Sequence, residues 1–217
     1  MITIGVTGGV GAGKSEILHY LERQYNCRIL LSDDAAKELE LPGGAIYGPL
    51  VSLLTEWNIP GDNEEPLLFE SGEINKKEMA RRIFSDAELL RKVNELVHPA
   101  VNRYILDEIE RERKEGKREF FVLESALLVE NGYDKVADSL WFIFCEKSVR
   151  AQRLRMTRGY SDEKIRQIME KQVSDDVFRK FCDVVINNTG PLDAEGGPLE
   201  QVDAAIAGLR EKFKDRA

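Results

Sequence analysis

Five short apolar runs set the terms for this chain: ITIGVT (2–7), RILLS (28–32), FFVLE (120–124), SLWFIFC (139–145) and DVVIN (183–187). They are rich in Val, Ile, Leu and Phe, and most lack the polar alternation of a strand with one wet face. Such runs make strands that are covered on both sides, and helical stretches stand between them. The predicted fold is therefore α/β, a parallel five-stranded sheet flanked by helices. A chain of 217 residues has room for one such domain with insertions. Two intervals are too long for plain crossovers. The first, residues 34–119, contains SDAELLRKVNELVHPAVNRYILDEIERERKEGK, which has Leu89, Val93, Leu96 and Val97 on one face and a capping-box pattern at Ser85 and Glu88. It reads as a helical insertion. The second, residues 148–182, carries seven Lys/Arg against three Asp/Glu between Arg150 and Lys171, inside a chain of net charge −8. Leu199, Val202, Ile206, Leu209 and Phe213 share one face of a packing helix near the C-terminus.

Between the first apolar run and a helix with Ile17, Leu18 and Leu21 on one face stands TGGVGAGKSE. Gly8 to Ser15 fits G-x-x-x-x-G-K-[ST]. A loop of this kind turns its backbone N–H groups inward around phosphate oxygens, and the helix N-terminus adds positive potential at the same point. Lys14 would reach the outer phosphates and the Ser15 hydroxyl would ligate Mg²⁺. The predicted ATP-binding set is Gly9, Gly11, Ala12, Gly13, Lys14, Ser15 and Glu16. A GTPase needs Asn-Lys-x-Asp after a late strand, and NKKE at 75–78 ends in Glu and follows no strand. A motor ATPase is usually longer and ends a strand with an acidic pair, whereas VLES offers only Glu124. The pattern points instead to a kinase for a small molecule, which must close over both substrates to keep water from taking the phosphate. Asp33 follows the second run, at the sheet edge where ligands gather in open α/β folds. A carboxylate there can accept the proton of an attacking hydroxyl. In SDDAAKEL, however, Ser32, Asp33 or Asp34 can equally cap a helix, and both readings stand.

The acidic balance argues against nucleic acid as a partner. No apolar run approaches the roughly 20 residues of a membrane helix, and the N-terminus does not read as a signal peptide. Cys27, Cys145 and Cys182 are odd in number and widely spaced, as expected of reduced thiols in a cytoplasmic protein. No close ligand pairs suggest a metal centre, and there are only two histidines, His19 and His98.

Taken in order, the motifs resemble the dephospho-CoA kinase family along nearly the whole chain. They are IGVTGGVGAGKS, SDDAAKEL, LPGGAIYGPLV, GEINKKEMARRIFSD, LVHPAV, ALLVENG, QRLRMTR followed by EKQ, and DVVINNTG. The resemblance implies a P-loop core (1–33, 116–147 and 183–217), a helical CoA-substrate domain (34–115) and a lid (148–182). It implies transfer of the γ-phosphate of ATP, with Mg²⁺, to the ribose 3′-hydroxyl of dephospho-CoA, the final step of CoA biosynthesis, with no obligatory protein partner. By motif, Asp33 falls on the catalytic base, and His98 on the His-Pro pair of the substrate domain, although a histidine before Pro99 can also mark a helix end. Arg155 and Arg158 fall in the lid, where guanidinium groups can lean on the transferred phosphate, or they belong to a solvated helix face. Asn188 falls beside the adenine, or caps a turn before Gly190. Leu31, Asn75 and Ala126 depart from the family pattern, the lid is about one residue short, and PLLFE at 66–70 is a decoy inside the insertion.

Overall fold

The structure is a computed structural model that describes residues 1–57, 65–128 and 130–216. Residues 58–64 of the insertion, Val129 of the ALLVENG segment and Ala217 lie outside the described residues. The chain divides into two compact units, Met1–Leu30 with Ile109–Ala217, and Leu31–Glu108.

The first unit is built on a five-stranded parallel sheet of order β2-β3-β1-β4-β5. Its strands are β1 (Ile2–Thr7), β2 (Cys27–Leu31), β3 (Phe120–Glu124), β4 (Ser139–Phe144) and β5 (Val184–Asn187). Each begins and ends within one residue of its apolar run. The shortfalls have local causes. Asp183 uses its backbone and carboxylate to bracket Leu140 just ahead of β5, and Ser32 already starts a helix. The order places β1 centrally, with connections leaving β1 and β4 toward opposite edges. In parallel sheets ligands bind at that switch point, and the segment after β1 leaves the sheet there.

Helix α1 (Lys14–Gln24) buries Ile17, Leu18 and Leu21, and α9 (Pro198–Lys212) buries Val202, Ile206 and Leu209. The Tyr20 and Tyr25 hydroxyls both donate to Asp203, at 2.8 and 2.6 Å, and tie the two helices together. After β4 come α6 (Lys147–Arg158), α7 (Asp162–Glu170) and α8 (Asp175–Phe181). The Phe178 ring of α8 lies 5.0 Å from that of Phe142 on β4.

The second unit contains α2 (Ser32–Leu39), α3 (Tyr47–Glu56), α4 (Lys76–Ser85) and most of α5 (Ala87–Glu115). Its core is Leu50, Leu54, Ile74, Ile83, Leu89 and Val93, with Tyr47, Trp57, Leu67 and Leu68 packed around it. The PLLFE decoy thus supplies core side chains, and Leu68 also bridges to Ile74. Asn75 caps α4: its Oδ1 accepts the N–H groups of Lys77 and Glu78 at 3.1 and 3.3 Å. Glu78 is buried and accepts from Arg81 and Arg82, and Arg82 also donates to the Leu54 carbonyl at 2.8 Å. The Arg81 hydrogen bond, reinforced by Arg82, holds the Glu78 carboxyl down at about 2.

Two expectations are corrected here. The cap of α5 is Asp86, whose Oδ1 accepts from Glu88 and Leu89 N–H at 2.8 and 3.1 Å, and not Ser85, whose hydroxyl donates to the Arg82 carbonyl. Asp86 also takes the Trp57 indole N–H at 3.0 Å, so one carboxylate satisfies three donors. Nor does a helix end at Pro99, because α5 runs through it. A proline removes one ladder bond, and a 29-residue helix has enough others to continue. Among the described residues no helix is long and apolar enough to cross a membrane.

Candidate active site

The loop from Gly8 to Ser15 leaves β1 at the switch point and becomes α1. Its first and last glycines are required by different neighbours. A Cβ on Gly8 would sit 2.5 Å from the Ile143 carbonyl oxygen, and Gly13, at φ +81°, is the left-handed residue from which α1 starts. Within the arc, Ala12 N–H donates to the Gly9 carbonyl at 3.1 Å. Lys14 Nζ donates to the Gly8 carbonyl at 2.7 Å and lies 3.4 Å from Glu124 Oε1, with both side chains mostly buried. Glu124 ends β3 opposite Val6 of β1, so the sheet register delivers the counter-charge to the lysine.

Helix α6 and the end of β5 grip the same arc. Arg150 is buried, its Nε donates to the Val10 carbonyl at 3.0 Å, and its guanidinium also bonds the Gln172 side-chain oxygen. Asp175 stands 3.9 Å away. Burial lowers the pKa of Arg150, against the pull of Asp175. A Cβ on Gly9 would come 2.2 Å from this guanidinium, so Gly9 leaves room for it. One turn on, Arg153 Nη1 reaches the Ala12 carbonyl at 3.4 Å and Cys145 Sγ at 3.5 Å, and Leu154 is buried against Gly11. Asn188, also buried, donates from Nδ2 to the Ala12 carbonyl at 2.8 Å, while its Oδ1 has no hydrogen-bond partner among the described residues. Asn188 therefore closes the helix end of the loop. The turn ahead of Gly190 is made by Asn187, whose Oδ1 accepts from Thr189 N–H at 3.2 Å.

The three cysteines are free, and burial pushes the Cys27 and Cys182 thiols up to about 11. Among the described residues no three His, Cys, Asp or Glu gather as a metal cluster. The Ser15 hydroxyl at the start of α1 and the oxygens of a bound phosphate would offer a cation the hard oxygen set that Mg²⁺ prefers.

The family model for dephospho-CoA kinase matches residues 2–194. The chain belongs to the dephospho-CoA kinase family. Its members are kinases, phosphotransferases that act with ATP and a divalent metal on dephospho-CoA. The kinase is 31% identical to the dephospho-CoA kinase of Chlorobaculum tepidum over 93% of both chains. It is 27% identical to that of Streptococcus mutans over 96% of this chain and 98% of the relative. Among solved structures, a Thermus thermophilus protein aligns with a TM-score of 0.74 at 26% identity, covering 95% of this chain and 96% of the other. The Campylobacter jejuni dephospho-CoA kinase shares the fold, with a TM-score of 0.68 at 18% identity and coverage of 99% and 98%.

Ser15 and Glu16 are exposed in the first turn of α1. Asp33 is exposed in the first turn of α2. The capping alternative is not realised, because α2 has Leu31 at its N-cap and no side-chain cap bond, and Asp34 pairs instead with Lys37 at 2.6 Å. His98 is exposed within α5. Asp33 and His98 belong to the second unit, and the loop belongs to the first. Arg155 and Arg158 lie on the exposed side of α6: Arg155 pairs with Asp162, and Arg158 stands 6.0 Å from the Tyr160 ring. Arg150, Arg153, Gln172 and Glu124 are the site residues to which the sequence reading gave no role. Of the larger apolar residues of α6, Val149, Leu154 and Met156, Leu154 is buried and Met156 is exposed, so the apolar pattern by itself does not mark the face on which Arg150 and Arg153 flank Leu154.

Proposed function

We propose that the kinase transfers the γ-phosphoryl group of ATP to the ribose 3′-hydroxyl of dephospho-CoA, with Asp33 as the base that takes the hydroxyl proton. The match over residues 2–194, which spans both units and includes Asp33 and His98, carries this reading. Lys14 exchanges Glu124 for the outer phosphates, the loop amides hold the phosphate oxygens, and Asn188 directs its unpartnered Oδ1 to the adenine amine. Mg²⁺, held by Ser15 and the phosphates, supplies positive charge to the group in transfer. Arg155 and Arg158, exposed on α6, are the guanidinium groups that meet the transferred phosphate. His98 contacts the acceptor.

The direct test is incubation with ATP, Mg²⁺ and dephospho-CoA, followed by mass analysis. The expected product is coenzyme A, heavier than the acceptor by one phosphoryl group. Efficient phosphorylation of a nucleoside monophosphate, with none of dephospho-CoA, overturns the proposal.

A further inference from the structure

Arg150 passes over its charged neighbour. Its Nε donates to the Val10 carbonyl at 3.0 Å and its Nη2 to the Gln172 side-chain oxygen, both neutral acceptors. The Asp175 carboxylate stays 3.9 Å from Nη1, beyond hydrogen-bond distance. Other arginines of this chain close on their carboxylates: Arg28 on Glu112 and Arg82 on Glu78 at 2.7 Å, and Arg210 on Glu119 at 2.6 Å. Arg150 is 4% exposed, and opposite charges attract more strongly in such a setting than in water. A gap left open there has a cause.

The shape of the group supplies it. A guanidinium is a rigid plane, so its donors cannot turn independently. With Nε on Val10 and Nη2 on Gln172, the plane is fixed at two edges and Nη1 is kept short of Asp175. Without the Gln172 oxygen, the side chain is free to swing Nη1 onto Asp175, and the same swing draws Nε off Val10. Gln172 is half-buried in the link between α7 and α8, and Asp175 opens α8. One short segment thus carries both the amide that keeps Arg150 on the loop and the carboxylate that would take it away. We propose that Gln172 is a positioning residue that holds Arg150 on the phosphate loop and off Asp175, so that the grip of the loop on ATP follows the position of the α7–α8 link. The room left by Gly9, where a Cβ would come 2.2 Å from the guanidinium, is filled only in the held state. This inference rests on the function proposed above only in taking ATP as the ligand of the loop.

The test measures the Kd for ATP with Mg²⁺ by titration calorimetry for the wild type, Gln172→Met, Asp175→Ala and the double variant, beside coenzyme A formation by the wild type. Methionine keeps the length of glutamine and lacks its acceptor oxygen. Gln172→Met should weaken ATP binding by about 10-fold or more, the effect of losing the Val10 bond. Asp175→Ala alone should bind ATP within about 3-fold of the wild type, because Arg150 makes no hydrogen bond to Asp175 in the held state. The double variant removes the competing carboxylate, so Arg150 returns to Val10 and affinity should recover to within about 3-fold of the wild type. A merely structural Gln172 gives no such rescue, since a second substitution in the same link would add to the damage of the first. Gln172→Glu, which retains an acceptor oxygen, should also bind ATP nearly as the wild type does. Wild-type affinity in Gln172→Met, a double variant as weak as Gln172→Met, or a Gln172→Glu variant as weak as Gln172→Met each overturns the positioning role. If the wild type binds ATP but makes no coenzyme A, the proposed reaction fails and the affinities still decide this inference. If it does not bind ATP, both fail.

Discussion

Arg150→Met separates the stability of the fold from the shape of the phosphate loop. The guanidinium is buried and gives the Val10 carbonyl a charge-assisted hydrogen bond at 3.0 Å, worth about 1.5–3 kcal/mol. Asp175, 3.9 Å away, adds attraction, on the order of 4 kcal/mol gross at an effective dielectric of about 20. Against both stands the desolvation of a cation, several kcal/mol in a protein interior. The lowered pKa of Arg150 says that this desolvation outweighs the pull of Asp175. Methionine keeps the packing of the aliphatic stem and removes the buried charge. The expected change in unfolding free energy is therefore small, about 1 kcal/mol either way, or a Tm shift of roughly 2–4 °C for a domain of this size. The loop loses its outside anchor, and the 1.5–3 kcal/mol of that bond corresponds to about 10- to 100-fold weaker ATP binding. Arg150→Lys should recover little, because an ammonium cannot reproduce the planar fork that reaches both Val10 and Gln172. The assay is steady-state KM for ATP beside a thermal melt. A methionine variant with a wild-type KM for ATP would refute the anchoring role, and so would a variant whose melting collapses along with its KM.

Asp33→Asn should lower kcat by about 100-fold or more with the KM for ATP unchanged, and it should melt normally because Asp33 is exposed and caps nothing; near-normal turnover removes Asp33 as the base. Gly13→Ala should lose roughly 2 kcal/mol, or about 4–8 °C in Tm, and most ATP binding, because φ is +81° and its Cβ would lie 2.3 Å from Asn188 Nδ2; an unshifted melt contradicts this. Glu78 is held at about 2, below its ordinary 4.5, so the stability it lends is complete above about pH 4.5 and drains away as the pH falls toward 2. Glu78→Gln should flatten that acid limb in thermal melts run across pH, and an unchanged limb excludes Glu78 as its source.

The sheet was legible in the sequence because strands covered on both faces must be apolar throughout, so their edges fall where polarity resumes. The loop was legible because its glycines, Lys14 and Ser15 are contiguous. Caps were less legible. Ser85 with Glu88 and Asp86 with Leu89 offer equal spacings, and the choice fell to Asp86 through Trp57, whose position depends on the tertiary fold. Asn75 is a departure from the family pattern, and in the structure it caps α4. The arginines of α6 were legible as a set but not individually. A cation on a helix is usually solvated, and only the buried face marked by Leu154 separates Arg150 and Arg153 from Arg155 and Arg158. Glu124 was visible as a lone acid, but its pairing with Lys14 needs the β1–β3 register, which no local pattern encodes.

The glycines of the loop answer to neighbours as much as to phosphate. Gly8 yields to the Ile143 carbonyl of β4, Gly9 to the Arg150 guanidinium, Gly11 to Arg150 and Leu154, and Gly13 to Asn188. Four positions spaced along one motif are thus read by β4, α6 and the end of β5, which lie more than a hundred residues away in sequence. A bare glycine turn would have the same local freedom without these clasps, and it would lose that freedom only on meeting its ligand, at an entropic penalty. Here β4, α6 and Asn188 have already ordered the arc, and the orphan left over, Asn188 Oδ1, is on the group that closes it. Preorganisation of this kind predicts an order of loss. Substitutions in the clasp should weaken nucleotide binding before they weaken the fold, because the sheet that carries the clasp is held by its own core.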